Sequence, residues 1–312
     1  MWTPLRLVLI AVMAWGAIAQ NFYDSSPHIL ELSPSNFDQV VHQTNYTTLV
    51  EFYAPWCGYC QQLKGTMQKA ARSLDGLVQV ASVNCDVAKN KPLCARHRVE
   101  GFPTLVVFRP PKIDLSVPFA DRMRITNHAS EVYRGERKLR PLVDFAASRI
   151  KNYVRRFTKP MSAVAALETS ESRYVMFLFS KSDRVSPLYK SLALDWLGTV
   201  RFALVPNGKL ASASQVTSSQ LPRIAGFFQD LSSSDQHTSE SSKLVLFDTQ
   251  DDEFHVYGGA IDKLALAQFL SKFAAPNEGP LTQRQAFVDA VKAGKKFKKS
   301  KQNQKHHHHD EL

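Results

Sequence analysis

The feature that most constrains the fold of this chain is a pair of cysteines placed where a strand gives way to a helix. Residues 48–53 are apolar and rich in β-branched and aromatic side chains, which predicts a buried strand. Cys57-Gly58-Tyr59-Cys60 follows, and residues 61–74 then repeat apolar side chains at helical spacing. The sequence therefore predicts a Cys-x-x-Cys pair at the start of a helix, just beyond the end of a buried strand.

A thiol at the start of a helix is more acidic than an ordinary cysteine. The unpaired backbone N–H groups and the positive end of the helix dipole both stabilise a thiolate, so we expect the pKa of Cys57 to fall. A thiolate attacks disulfides, and Cys60, one helical turn further on, can resolve the mixed disulfide that results. Two other interpretations are a structural bridge and half of a zinc site. A zinc site needs two more ligands at comparable spacing, which Cys85 and Cys94 match poorly.

Strands and helices continue to alternate through residues 28–150. Residues 77–83 and 104–108 are expected to be strands. Residues 138–153 are expected to form a helix whose inward face consists of Leu139, Leu142, Val143, Ala146 and Ile150. This alternation is typical of an α/β fold in which a central sheet lies between helices.

Two motifs within residues 28–150 carry a resemblance to a known family. They are Glu51-Phe52-Tyr53-Ala54-Pro55-Trp56-Cys57-Gly58-Tyr59-Cys60 and Gly101-Phe102-Pro103-Thr104. This segment resembles the catalytic thioredoxin-type domain of protein disulfide isomerases, and the chain is similar to small fungal-type members with one such domain. The resemblance implies an enzyme that forms, reduces and rearranges disulfide bonds in proteins, without a metal or an organic cofactor.

The resemblance assigns roles to the residues of both motifs. Cys57 is expected to be the exposed nucleophile and Cys60 the resolving thiol. Pro103 matches a cis-proline that faces the cysteines and presents backbone to an extended substrate. Trp56 and Phe102, which flank these positions, are expected to bind substrate as well.

Two further residues match the family and two depart from it. Glu51 matches a buried carboxylate with a raised pKa that shuttles the proton of Cys60, and Arg137 matches an arginine that tunes Cys60. Tyr59 stands where most members have a histidine, which leaves the strength of the site as an oxidant open. Ser82 stands where some relatives pair a lysine with the glutamate, so Glu51 is expected to be protonated more easily.

The remaining cysteines allow more than one pairing. The chain has four cysteines, all in its first third, and four cysteines permit three connectivities. The resemblance implies a structural disulfide between Cys85 and Cys94, and the alternative is a second redox pair. Residues 109–130 are expected to form an inserted surface loop at the end of the sheet away from Cys57, more readily a tolerated insertion than a partner-binding site. Asn45 begins an N-glycosylation sequon.

The second half of the chain repeats the order of elements without the chemistry. Residues 160–275 predict strand, helix, strand, hairpin and helix, which resembles a redox-inactive thioredoxin-like domain. Its last helix, residues 261–273, is expected to face inward through Ile261, Leu264, Ala265, Gln268 and Phe269. No cysteine is present there, and Lys243 precedes the strand where a cis-proline would stand. Client or partner binding is favoured over a spacer role.

Both ends of the chain carry address signals. Residues 1–19 combine Arg6, a short apolar run and small residues before the cut, which predicts a cleaved signal peptide more than a membrane anchor, because the run is too short to span a bilayer. The chain ends in His-Asp-Glu-Leu, a signal for retrieval to the endoplasmic reticulum. We therefore expect an endoplasmic reticulum lumen protein without a membrane span, returned there by the HDEL retrieval receptor.

The charge of the chain does not indicate a nucleic-acid binder. Its net charge is +11, but lysines are concentrated in residues 276–312, where a short helix and a disordered, solvated basic tail are expected. The expected partners are unfolded or nascent secretory proteins, with glutathione or an endoplasmic reticulum thiol oxidase to set the redox state. The alternative is a client-specific disulfide reductase or a chaperone-like binding protein, because only one Cys-x-x-Cys domain is present.

Overall fold

Two sheets organise the chain. The computed structural model describes residues 22–113, 128–233 and 242–297. Within these ranges the chain forms two five-stranded mixed sheets, each flanked by helices. The predicted α/β class with two tandem thioredoxin-like domains is confirmed.

The first sheet has the strand order β1-β3-β2-β4-β5. Strands β1, β3 and β2 run parallel, whereas β4 and β5 are antiparallel to their neighbours. The strands are β1 (Ile29–Leu32), β2 (Thr48–Tyr53), β3 (Gln79–Asn84), β4 (Thr104–Arg109) and β5 (Ala129–Val132). The helices are α1 (Phe37–Val41), α2 (Gly58–Ser73), α3 (Lys91–Arg96) and α4 (Leu139–Ser148), with a 3₁₀ turn at Ala88–Asn90.

The second sheet repeats this topology as β6-β8-β7-β9-β10. Strands β6, β8 and β7 are parallel, and the hairpin β9–β10 is antiparallel. The strands are β6 (Val154–Arg156), β7 (Tyr174–Ser180), β8 (Val200–Pro206), β9 (Lys243–Asp248) and β10 (Glu253–Tyr257). The helices are α5 (Pro160–Glu168), α6 (Pro187–Asp195), α7 (Pro222–Ser233), α8 (Lys263–Leu270) and α9 (Arg284–Lys292), with a 3₁₀ segment at Asn207–Gln215.

Strand β2 is the central strand of the first sheet and carries the cysteine pair at its end. All six of its residues are buried, and its side chains alternate between two apolar layers. Leu49 and Tyr53 face the layer that contains Cys57 and Cys60, whereas Val50 and Phe52 face the opposite layer. This alternation follows from the period of two along a strand, and it places Glu51 on the cysteine side.

Two predicted helix faces are wrong in detail. Leu139 is 36% exposed at the start of α4, and the helix ends at Ser148 rather than near residue 153. Helix α8 begins after Asp262, whose side chain accepts a hydrogen bond from the Ala265 N–H, so Ile261 lies outside the helix. Ile261 and Leu264 are 59% and 70% exposed, and the buried face of this helix is Leu266 and Leu270 instead.

The two domains meet at a buried ion pair. Lys263 Nζ lies 2.7 Å from Asp195 Oδ2, and the Tyr46 hydroxyl donates to Asp195 Oδ1 at 2.7 Å. The same ammonium donates to the backbone carbonyl of Gly76, which follows α2 in the first domain. Only 1% of the Asp195 side chain is exposed, so the carboxylate depends on these partners for its hydrogen bonds.

The last helix returns to the first domain. Phe287, Val288 and Val291 of α9 join the core beneath β1 and α1. Arg284 also donates to the carbonyl of His28 at 3.3 Å. The sequence predicted only a short helix ahead of the tail, and the structure makes it part of the first domain's core.

Several predicted features lie outside the described residues. The predicted signal peptide, the end of the basic tail with its retrieval signal, and residues 114–127 of the predicted insertion belong to this group. Ala129 and Ser130, at the end of that predicted insertion, are part of β5. In the described ranges, every helix is too short or too polar to cross a membrane.

Candidate active site

Cys57 sits immediately before α2 and caps it. Its N–H donates to the carbonyl of Ala54 at 3.1 Å, which closes a turn after β2. Its own carbonyl accepts from the Gln61 N–H at 3.0 Å, which begins the helical ladder. The first N–H groups of the helix are left without carbonyl partners of their own, and they lie beside the Cys57 thiol.

The two thiols differ in acidity. Burial raises the pKa of Cys57, but hydrogen bonds from the Cys60 side chain and from the N–H groups of Cys60 and Tyr59 outweigh it, so the pKa is lowered. Burial, the neighbouring Cys57 and the charge of Glu51 raise the pKa of Cys60 to about 12. Both thiols are free, and at neutral pH the proton stays on Cys60 while Cys57 is the readier thiolate.

Cys57 is less exposed than the sequence led us to expect. It is 8% exposed and Cys60 is 0% exposed, so both belong to the apolar core of the first domain. The reason is that the turn after β2 directs the Cys57 side chain towards the loop before β4, where its Sγ lies 3.5 Å from the Phe102 carbonyl oxygen. Cys57 remains the more accessible of the two sulfurs.

An exposed aromatic surface surrounds the thiols. Trp56 and Tyr59 are 66% and 67% exposed. The ring of Trp56 meets the edge of Phe102 with centroids 6.1 Å apart. The Phe102–Pro103 peptide bond is cis, and Pro103 is buried next to the site. An extended peptide laid across Phe102 would therefore find apolar contacts on either side of Cys57.

Arg137 contacts the site through the loop before β4. Its guanidinium donates to the Pro103 carbonyl at 3.2 Å. Its positive charge contributes to the lowered pKa of Cys57 and opposes the rise in the pKa of Glu51. The predicted action of Arg137 on Cys60 stays a prediction.

Glu51 is a fully buried carboxyl group beneath the cysteines. It is 0% exposed, and this burial raises its pKa to about 7. The Tyr23 hydroxyl donates to Oε2 of Glu51. Oε1 is buried and has no hydrogen-bond partner among the residues that the structure describes. One carboxylate oxygen is thus held in place and the other is free to accept a proton.

Sequence reasoning missed a second carboxyl group in this region. Glu31 lies on β1, and Ser82 of β3 stands between Glu31 and Glu51 in the strand register. The Ser82 hydroxyl donates to Glu31 Oε2 at 2.7 Å, and the Tyr53 hydroxyl donates to Oε1 at 3.1 Å. The sequence feature that could have revealed Glu31 is a single acidic residue inside the apolar run Ile29–Leu32.

The other cysteine pair is bonded. The sulfur atoms of Cys85 and Cys94 form a disulfide that joins the residue after β3 to α3, with Cα atoms 6.0 Å apart. Both residues are 5% exposed and pack in the core layer opposite Cys60. A structural rather than redox role for this pair stays a prediction.

The predicted glycosylation site lies next to the domain junction. Asn45 is half-buried, and both following residues of the sequon are buried. The Thr47 hydroxyl donates to the Arg149 carbonyl at 3.0 Å, and Tyr46 bonds to Asp195 of the second domain. A glycan on Asn45 would have to leave the protein along this junction, and its presence stays a prediction.

The second domain lacks the groups of the first site. Its central strand β7 presents apolar side chains from Val175 to Phe179, with no carboxyl group among them. Lys243 is the first residue of β9 rather than a residue before it, and Phe102–Pro103 is the one cis peptide bond in the described ranges. No cluster of metal-ligating side chains occurs in those ranges either.

Comparisons with known proteins agree with this geometry. A family model described as Thioredoxin matches residues 28–148. Over 300 residues, the chain is 48% identical to "Protein disulfide-isomerase MPD1" of Saccharomyces cerevisiae, with 94% of each chain covered. It is 37% identical to human "Protein disulfide-isomerase A6" over 150 residues, which cover 48% of this chain and 30% of that protein. The crystal structure of ERdj5 form II shares the fold, with a TM-score of 0.57 at 18% identity, covering 88% of this chain and 37% of that one.

Proposed function

The chain belongs to the protein disulfide isomerase family of the thioredoxin superfamily, and on that premise we propose that Cys57 and Cys60 are its working dithiol. As a thiol–disulfide oxidoreductase it would form, reduce and rearrange disulfide bonds of proteins folding in the endoplasmic reticulum lumen. The observation that supports this most is the opposite pKa shift of two adjacent thiols at one helix start. A structural pair needs no such difference.

Exchange begins at Cys57. Its thiolate attacks one sulfur of a client disulfide, a bond forms between that sulfur and Cys57 Sγ, and the client disulfide breaks. The other client sulfur leaves as a thiolate. Trp56, Phe102 and Pro103 would hold the client segment as an extended strand while this happens.

Cys60 resolves the mixed disulfide. Its proton passes to Oε1 of Glu51, which has no hydrogen-bond partner among the described residues, and the resulting thiolate attacks Cys57 Sγ. The Cys57–Cys60 bond forms as the bond to the client breaks, and the second client thiolate leaves. Two electrons have then moved from the enzyme dithiol to the client disulfide. The reverse sequence oxidises a client, and attack by another client thiol on the mixed disulfide rearranges it.

Other residues would support this chemistry without taking part in it. We assign the Cys85–Cys94 disulfide to stability and Arg137 to tuning of the dithiol, including Cys60.

The proposed function also needs partners in the cell. Glutathione or a thiol oxidase of the endoplasmic reticulum would return the Cys57–Cys60 pair to its starting redox state. The HDEL retrieval receptor would retain the protein, and Asn45 would carry a glycan.

The alternative function is a client-specific reductase or chaperone-like binding protein. Tyr59 favours it, since this side chain is 67% exposed beside the thiolate and brings no positive charge. A thiolate without such stabilisation gives a more stable, less oxidising disulfide. The redox potential of the pair separates this function from isomerisation.

Trapping of clients tests the proposed function. Cys60→Ala should accumulate mixed disulfides at Cys57, because the resolving thiol is missing. The protein, with Cys57 reduced, would be mixed with denatured secretory substrate that still carries disulfide bonds, and analysed by mass spectrometry after alkylation. Cys57→Ala is the matched control and should trap nothing. Equal adducts in both variants, or none in either, would contradict a role for Cys57 as nucleophile.

A further inference from the structure

We propose that Glu31 and Glu51 act as one carboxyl pair that takes the proton of Cys60 and exchanges it with solvent. This deepens the proposed function and rests on it. Glu51 is the member that receives the proton from the thiol. Glu31 touches neither cysteine and acts through Glu51, so it is a positioning residue rather than a catalytic one.

The pair is built into the register of the first sheet. Glu31 of β1 is aligned with Ser82 of β3, and Ser82 is aligned with Glu51 of β2. Residues in one such row point to the same face of a sheet, and neighbouring strands lie about 4.8 Å apart. Both carboxyl groups therefore lie on the face that α2 covers with Cys60.

Hydroxyl groups hold three of the four carboxyl oxygens. Tyr23 donates to Oε2 of Glu51, Tyr53 donates to Oε1 of Glu31, and Ser82 donates to Oε2 of Glu31. The rings of Tyr23 and Tyr53 meet edge to face with centroids 5.8 Å apart. The fourth oxygen, Oε1 of Glu51, is the buried one left unpartnered in the described part of the chain, and it is the place for the incoming proton.

The two members differ in their access to water. Glu51 is 0% exposed and lies on the central strand. Glu31 is only partly buried and lies on the edge strand β1. A proton that stayed on Glu51 would block the next turnover, and Glu31 is the carboxyl group of the pair from which it can leave to solvent.

Charge couples the two carboxyl groups. Burial is the main cause that raises each pKa to about 7, and the charge of Glu31 adds to the rise at Glu51. A negative charge on Glu31 disfavours a second negative charge on Glu51 and so favours a proton there. The other charged or titratable groups that face the pair are Cys60, Tyr23, Tyr53, the distant charge of Arg137 on Glu51, and Asp24 on Glu31. Near pH 7 the Glu51 carboxyl group can therefore be ionised and accept the proton of Cys60.

The test isolates the resolving step. Reduced full-length protein would be mixed with excess glutathione disulfide, quenched in acid, and separated by mass into mixed disulfide and Cys57–Cys60 disulfide. Attack by Cys57 depends on the glutathione disulfide concentration, and resolution by Cys60 does not. The rate constant of the second phase, resolution by Cys60, should rise with pH through a midpoint near 7, because Glu51 must be ionised to accept the proton.

Glu31→Gln should move that midpoint. Removal of a negative charge lowers the pKa of Glu51, so the midpoint should shift to lower pH by about one unit. The rate constant that this second phase reaches at high pH should fall roughly threefold to tenfold. Glu51 becomes a weaker base, and Glu31 can no longer pass its proton to solvent. The first phase should not change. Glu131→Gln, on the opposite edge strand β5 and paired with Arg149, is the matched control and should behave like the unaltered protein.

A second variant guards against a folding defect. Tyr53→Phe removes the hydroxyl that donates to Glu31 and keeps the buried ring. Without this bond Glu31 is harder to ionise, so the midpoint should shift in the same direction by a smaller amount. In a Glu51→Gln background, Glu31→Gln should have no further effect on the second phase, because its action requires Glu51.

The outcomes separate this proposal from the function on which it rests. An unchanged midpoint in Glu31→Gln, with or without a change in the free energy of unfolding, overturns the carboxyl pair. Independent effects of the two substitutions overturn it too. Failure of Cys57 to form any mixed disulfide would instead overturn the proposed function itself.

Discussion

Burial determines the chemistry of the single residues around Cys60. Glu51, Tyr23 and Cys60 occupy an apolar layer in which every group has its neutral form favoured, so their pKa values are raised. Cys57 lies at the edge of the same layer and escapes this effect through hydrogen bonds from the helix start. Position relative to the helix start thus separates a thiol whose pKa is lowered from one whose pKa is raised.

Glu51 should make stability depend on pH. Its pKa is about 7 when folded, against 4.5 for an ordinary glutamate, so the folded protein holds this proton more tightly. The resulting stabilisation is present below about pH 4.5 and is lost as the pH rises through 7. Glu51→Gln stays neutral throughout. The difference in free energy of unfolding between this variant and the unaltered protein should therefore shift in favour of the variant by up to about 3 kcal/mol between pH 5 and pH 8.

Urea unfolding of both proteins at the two pH values measures this difference. Glu131→Gln is again the control, because its carboxyl group is held ionised by Arg149. A difference between Glu51→Gln and the unaltered protein that stays constant with pH would mean that Glu51 is not a buried, proton-holding group.

Sequence reasoning located some residues of the site and not others. The cysteine pair and Glu51 are predictable because motif and strand alternation fix them locally. Tyr23 bonds to Glu51, and Glu31 shares the row of Glu51, because β1 pairs with β3 and β3 pairs with β2. That pairing joins segments far apart along the chain, and no local pattern specifies which polar side chains will share one face.

At the scale of elements, long periodic segments are the predictable ones. The sequence predicts strands β2, β3 and β4 to within about two residues, and it predicts helix α2 except for its first turn. The short strands β1 and β6 were missed, because three or four residues carry too little alternation. Helix α7 was missed despite its amphipathic pattern, and the docking of α9 depends on tertiary contacts that the sequence does not display.

Helix α9 should contribute to the stability of the first domain. Phe287 is 2% exposed and packs with Val288 and Val291 against the core beneath β1. Phe287→Ala should therefore lower the free energy of unfolding by about 3–5 kcal/mol, the usual effect of removing a buried phenylalanine. Denaturant unfolding, followed by the fluorescence of Trp56 in the first domain, measures the loss.

A substitution on the outer face of the same helix provides the control. Gln285 is exposed, and its side-chain amide donates to Asp289 one turn later, so Gln285→Ala should change stability by less than about 0.5 kcal/mol. A similar effect of both substitutions, or none from Phe287→Ala, would mean that α9 is not part of the first domain's core.

At the scale of the whole molecule, contacts between described residues hold the domains together. Helix α9 follows the second domain and packs on the first. Asp195 of the second domain accepts a hydrogen bond from Tyr46 of the first, and the Lys263 ammonium bonds both Asp195 and the Gly76 carbonyl of the first domain. These contacts hold the domain that carries Cys57 and Cys60 against the second domain.

Lys263→Met should weaken this junction strongly. It would leave Asp195, which is 1% exposed on its side chain, without its cation, and breaking one partner of a buried pair typically costs about 3–5 kcal/mol. Calorimetry should show a lower unfolding temperature or two separate transitions. Lys272→Met, at an exposed position after α8, should leave the transition unchanged. The same unfolding temperature for both variants would mean that the Lys263–Asp195 ion pair does not hold the domains together.

The redox potential of the Cys57–Cys60 pair tests the central claim most directly. It would be measured in glutathione buffers with the Cys85–Cys94 disulfide intact. We predict a value in the range of roughly −180 to −210 mV, where oxidation and isomerisation are both thermodynamically available in the lumen. A value near about −270 mV, like that of thioredoxin, would contradict the isomerase function and make this protein a reductase.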